Sequence, residues 1–188
     1  MGAAVPSAGR AKLARAEKPG SESHLRAYGG AMNLNRLDVH LESYDTSSVS
    51  GLKGVALIID GLPLAEHVRE IEAAEIRAKK TDGSAGSYLP MAVADVKGPE
   101  HFLGHPEASF FGDGDTVLLG CTCGEWDCGP LTARIEVRDN VVEWHDFRRG
   151  FRDWNYEPLG RFIFDRSAYQ NQFETIDWSD TGIPPGGW

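Results

Sequence analysis

The residues with the most distinctive chemistry are Cys121, Cys123 and Cys128, spaced C-x-C-x4-C inside the stretch Gly120 to Pro130. The chain has 3 cysteines, so all of them stand here. Thiolates are soft anionic ligands, and zinc takes four nitrogen or sulfur donors in a tetrahedron, with sulfur at about 2.3 Å. The cysteines supply three donors. The fourth has to come from His145, on the strand expected beside the loop, or from His101, His105 or Asp127. Two other readings compete. In a structural one, small cysteines bury well and glycines at 120, 124 and 129 permit a tight connection between strands. In a redox one, Cys121 and Cys123 form a strained disulfide that Cys128 resolves, but the neighbouring Glu125 and Asp127 raise thiol pKa and oppose reactivity. A three-ligand zinc with an open position would look catalytic, yet no H-x-E lies near and the deaminase pattern is absent.

Other candidate sites carry less. His101 and His105 are four apart, but Gly104 and Pro106 argue against a helix that would put them on one face. The turn Gly112 to Asp115 lacks the further carboxylates of a calcium loop. Arg148 to Arg161 mixes Phe151, Trp154 and Tyr156 with Arg148, Arg149 and Arg152. It suits an acidic or nucleotide ligand by stacking and charge, or an ordered cover over a sheet edge, which is the preferred reading. G-x-S-x-G, P-loop, dinucleotide-glycine and H-E-x-x-H motifs are all missing, which points away from an enzyme.

The elements that position these residues follow from periodicity. Residues 36–44 alternate apolar and polar, predicting a half-buried strand with His40 on the wet face; 55–59 is a second, apolar strand. Pro63 opens a helix whose stripe is Leu64, Val68 and Ile71, with Glu66, Glu70 and Glu75 outside. Residues 88–93 read as packed loop or a short turn. Thr116 to Leu119 is a buried strand. Leu131 to Phe147 is a hairpin turning at Asp139-Asn140, with Ile135 opposite Trp144 and Val137 opposite Val142. Arg134, Glu136, Glu143, His145 and Phe147 fall on its polar face. Asp165 caps a helix with Tyr169, Phe173 and Ile176 inward. The expected fold class is α+β, a single domain with a mainly antiparallel sheet and two main helices. It spans 32–177, between a loosely ordered basic tail (1–31) and a loose C-terminal tail (178–188).

The formal net charge is -9 over 188 residues. An acidic body repels phosphate backbones and argues against nucleic acid, while favouring a basic protein partner. No run approaches a membrane span and no apolar secretory region opens the chain, so the expected compartment is a reducing cytoplasm.

Val117 to Cys128, with His101-Phe102-Leu103-Gly104 upstream and Val142-Glu143-Trp144, Trp154-Asn155-Tyr156 and Leu159 to Asp165 downstream, resembles a family of small bacterial hypothetical proteins with a C-x-C-G-x4-C type loop. The resemblance runs from about Leu34 to Phe173 and implies a bacterial source and one compact domain, but no reaction. Gly129 departs from it, standing where that family has a large aromatic. The expected function is a non-enzymatic protein-interaction domain, inhibitor- or immunity-like, with a zinc-stabilised domain or a thiol-redox enzyme as alternatives.

Overall fold

The computed structural model describes residues 33–183. The basic tail expected over 1–31 lies outside them. Strands β1 (Leu37–Tyr44) and β2 (Leu52–Ile59) pair antiparallel along their whole length. The short β3 (Leu62–Pro63) folds back on β2 and delivers the chain into helix α1 (Leu64–Lys79). β4 (Tyr88–Ala92) joins the other side of β2 and then β5 (Thr116–Cys121). After β4 comes the single-turn helix α2 (Val93–Val96). β6 (Leu131–Val137), β7 (Val141–Arg149) and β8 (Phe162–Asp165) complete an antiparallel sheet in the order β1-β2-β4-β5-β6-β7-β8. Asn35 closes the ends: its N–H donates to Ile163 O (2.7 Å) and its side-chain oxygen accepts from Ile163 N (2.9 Å). The sheet therefore curls until its two edges meet at one point, which covers part of each otherwise unpaired edge. The α+β class, with one mainly antiparallel sheet and two main helices, is as expected.

Helix α3 (Arg166–Glu174) begins where Asp165 accepts a hydrogen bond from Ala168 N at 2.9 Å. It buries Tyr169 and Phe173. The Tyr169 hydroxyl donates to Phe102 O (2.7 Å) and accepts from the indole N–H of Trp144 (3.1 Å). One phenol thus satisfies polar groups from two other elements in the middle of the core, where an unpaired group costs about 1–3 kcal/mol. Phe102 stacks on Phe173 at 4.9 Å.

Four expectations are corrected. Residues 88–92 are a strand, because β4 fills the gap between β2 and β5 with its backbone. On α1 Leu64 and Val68 are buried and Ile71 packs against the core as expected, but Glu72 is fully buried as well, so the inward face also takes in a carboxylate. On β7, Phe147 is buried despite its place in the alternation. The pairing steps from Arg134↔His145 to Thr132↔Arg148, leaving one extra residue on β7, and Asp146 takes up the bulge with φ 52°. A bulge flips every later side chain to the other face. Finally, residues 178–183 are docked: the Trp178 indole donates to Phe173 O (3.1 Å), and Thr181 O accepts from Lys53 N (3.0 Å). Among the described residues no helix is long and apolar enough to cross a membrane.

Candidate metal centre

The loop between β5 and β6 is a compact elbow, as its glycines require. Cys121 still belongs to β5, opposite Tyr88 on β4. Two successive turns follow, closed by Gly124 N donating to Cys121 O (3.1 Å) and Cys128 N donating to Glu125 O (3.2 Å). Gly124 and Gly129 sit at φ 97° and 110°, where a side chain is strained. Trp126 folds back as the anchor, with its Cα 3.4 Å from where a Cβ on Gly120 would stand. Pro130 is buried and hands the chain to β6.

This geometry gathers the sulfurs. The Sγ atoms of Cys121, Cys123 and Cys128 all lie within 4.8 Å of one another. All three thiols are free; Cys121 is half-buried, and Cys123 and Cys128 are exposed. The Cys123 N–H also approaches Cys121 Sγ at 3.5 Å. Tetrahedral zinc with sulfur at about 2.3 Å needs sulfurs about 3.8 Å apart, so the cluster has to contract by no more than about 1 Å. The sulfurs also perturb one another. Backbone hydrogen bonding at Glu125, then the Cys121 thiol, lowers the Cys123 pKa. The hydrogen bond with Cys123, then the charge of Cys121, pushes Cys128 up to about 11. Burial, then the charge of Glu125, raises the Asp95 carboxyl nearby.

The expected fourth ligand is not there. His145 lies 3.2 Å from Glu136 through Nε2 and 3.2 Å from Asp146 through Nδ1, on the polar face of the β6–β7 hairpin. The bulge and two rungs of sheet separate that face from the elbow. His101 is fully buried with both ring nitrogens used: Nε2 donates to Val117 O (2.8 Å) and Nδ1 accepts from Glu107 N (3.2 Å). Burial lowers its pKa from 6.5 to about 4, so it stays neutral as a core pin. His105 and Asp127 are exposed and do not join the sulfur group. Among the described residues, no histidine or carboxylate does.

Sequence reasoning missed a second polar cluster. Glu72, fully buried on α1, accepts from Gly86 N (2.7 Å), Tyr156 OH (2.5 Å), Arg149 Nη1 (3.1 Å) and Tyr88 OH. Arg149 lies between the rings of Tyr88 and Trp154, 4.9 Å from each centroid. Burial, then the charge of Glu72, raises the Tyr88 phenol, and burial, then Tyr88, raises Tyr156, so both remain donors. Every carboxylate lone pair has a partner, which marks a structural clamp joining α1, β4, β7 and the loop after β7. The readable signal was a glutamate four residues after Val68, on the apolar stripe.

Comparison with protein-family models, curated proteins and solved structures finds no match to this chain.

Proposed function

We propose that this chain is a non-enzymatic, zinc-stabilised domain in which Cys121, Cys123 and Cys128 hold the metal and the metal orders the β5–β6 elbow. The observation that carries this reading is the convergence of all three sulfurs within 4.8 Å. His145 is not among the ligands, so the fourth position faces solvent and takes water or a group from outside the described residues. Ligating thiols must lose their protons, so zinc affinity falls as pH drops. Free, neighbouring thiols suit the reducing cytoplasm, where we place the protein. Elemental analysis of protein purified without chelators tests the reading. About one zinc per chain, halved or worse in Cys121→Ser, Cys123→Ser and Cys128→Ser, supports it; less than about 0.2 zinc per chain removes it.

A second reading, of a protein-interaction domain, rests on Phe151. It is 77% exposed, holds φ 58° and packs edge-on against Phe110 at 4.9 Å. A bulky residue in the left-handed region costs about 1–2 kcal/mol, and exposed aromatics are favoured binding anchors. Gly150, just before it, packs on Pro130 at the foot of the elbow. The chain carries 19 Lys/Arg against 28 Asp/Glu, a formal net charge of -9, which favours a basic partner. Asparagine tolerates the left-handed region, so Phe151→Asn leaves folding intact. A basic protein recovered with the wild-type chain and lost with Phe151→Asn fits this reading; equal recovery contradicts it.

A further inference from the structure

A second feature, independent of the cysteines, is a cavity on the polar face of the β6–β7 hairpin. Its volume is about 560 Å³, and Arg134, Arg148, Arg161, His145, Trp154 and Tyr156 are among the residues that line it. That volume falls within the usual range for small-molecule sites, roughly 300–1,000 Å³. Asp146 and Glu157 also border it, and Asp113 and Glu143 pair with its three guanidiniums, so it gathers arginine forks in a body that is otherwise strongly acidic.

Three observations distinguish this cavity from an ordinary wet face. First, the bulge at Asp146, a non-glycine residue held at φ 52°, lines it; bulges re-aim side chains and gather beside functional sites. Second, its guanidiniums are fixed in place. Asp113 holds Arg148 by two hydrogen bonds (2.9 and 3.0 Å) and Arg134 at 3.3 Å, while Arg161 gives a single nitrogen to Glu143 at 2.5 Å. Third, two N–H donors in its walls are buried without a hydrogen-bond partner: the Trp154 indole Nε1, in a side chain 7% exposed, and Arg148 Nε. Buried donors left unsatisfied are rare in folded proteins, and each asks for an acceptor.

We propose that this cavity binds a small organic oxyanion, a phosphate monoester or a carboxylate, with its acidic group at Arg161 and Arg134 and its apolar part against Trp154 and Tyr156. Arginine suits both anions because its planar fork donates pairs of hydrogen bonds to them.

Titrating full-length protein with phenyl phosphate, 3-phenylpropanoate and neutral benzyl alcohol, and following the Trp154 indole N–H by NMR, tests this. The indole signal is identified by its loss in Trp154→Phe. Saturable binding below about 1 mM is expected for one or both acids and not for the alcohol, and the stronger acid identifies the ligand class. Arg161→Ala weakens it at least about tenfold, the loss expected for a charge-assisted hydrogen bond. Because Arg161 also pairs with Glu143, a second variant leaves the ion pairs alone. Asn155→Asp keeps the side-chain oxygen that accepts from Glu157 N at 2.8 Å and adds a negative charge at the mouth; it weakens binding several-fold. The proposal is overturned if no probe shifts the indole by about 10 mM, if the alcohol binds as well as the acids, or if binding is unchanged in both variants.

Discussion

At the scale of single residues, buried polar groups set the clearest expectations. His101 has its pKa lowered to about 4 by burial, against 6.5 in an unfolded chain. A depressed folded-state pKa means the unfolded chain takes up the proton first as pH falls. His101 therefore contributes its stability fully above pH 6.5 and loses it between 6.5 and about 4, by up to about 3 kcal/mol. Denaturant unfolding of His101→Gln across that window should show a flatter pH dependence than the wild type; parallel curves would contradict the assignment. Tyr169→Phe strands the Trp144 N–H and Phe102 O, and should cost about 1–3 kcal/mol. Glu72→Ala leaves the half-buried Arg149 and the Tyr88 and Tyr156 hydroxyls without their shared acceptor and should cost about 3–5 kcal/mol. A loss below about 1 kcal/mol would mean the clamp relaxes onto water. Glu72 was hidden in the sequence because it occupies a stripe position that composition assigns to solvent. Its partners come from 14 to 84 positions along the chain, a distance over which no local pattern reports.

Among the elements, most of what local rules govern was readable. The alternation of β1, the hairpin register at Val137↔Val142 and Ile135↔Trp144, and the Asp165 cap are all present. The bulge was not, because it depends on Asp146 accepting a left-handed backbone, which alternation cannot register; Phe147 moved to the core as a result. β4 was not readable either. A five-residue strand with Pro90 at its centre looks like loop until β2 and β5 stand on either side of it. Helix α1 ends on Lys80 at φ 51°, an exposed left-handed cap that donates its N–H to Ile76 O. Glycine is the usual residue in that conformation. Lys80→Gly should therefore stabilise the protein by about 0.5–1 kcal/mol. A thermal midpoint that falls instead would show that the lysine side chain does more than decorate the cap.

For the molecule as a whole, the elbow links topology to chemistry. β5 and β6 are sheet neighbours joined by nine residues, and the glycines that make so short a crossing possible also bring the sulfurs together. That the cysteines form one group was legible from their spacing. That His145 stays apart from them was not, because the bulge and the Glu136 and Asp146 carboxylates hold it on another face of the hairpin. Zinc that binds only the folded chain stabilises it by about 4 kcal/mol at a thousandfold excess over Kd. Chelation should then lower the thermal midpoint by roughly 8–16 °C for a domain of this size, and the Cys123→Ser protein should barely respond. The most direct measurement is X-ray absorption at the zinc edge of the loaded protein. Three sulfurs at about 2.3 Å with one lighter ligand near 2.0 Å is the expected shell. A shell of nitrogen and oxygen alone, or protein that keeps no zinc through desalting, would contradict a metal centre built from these three cysteines.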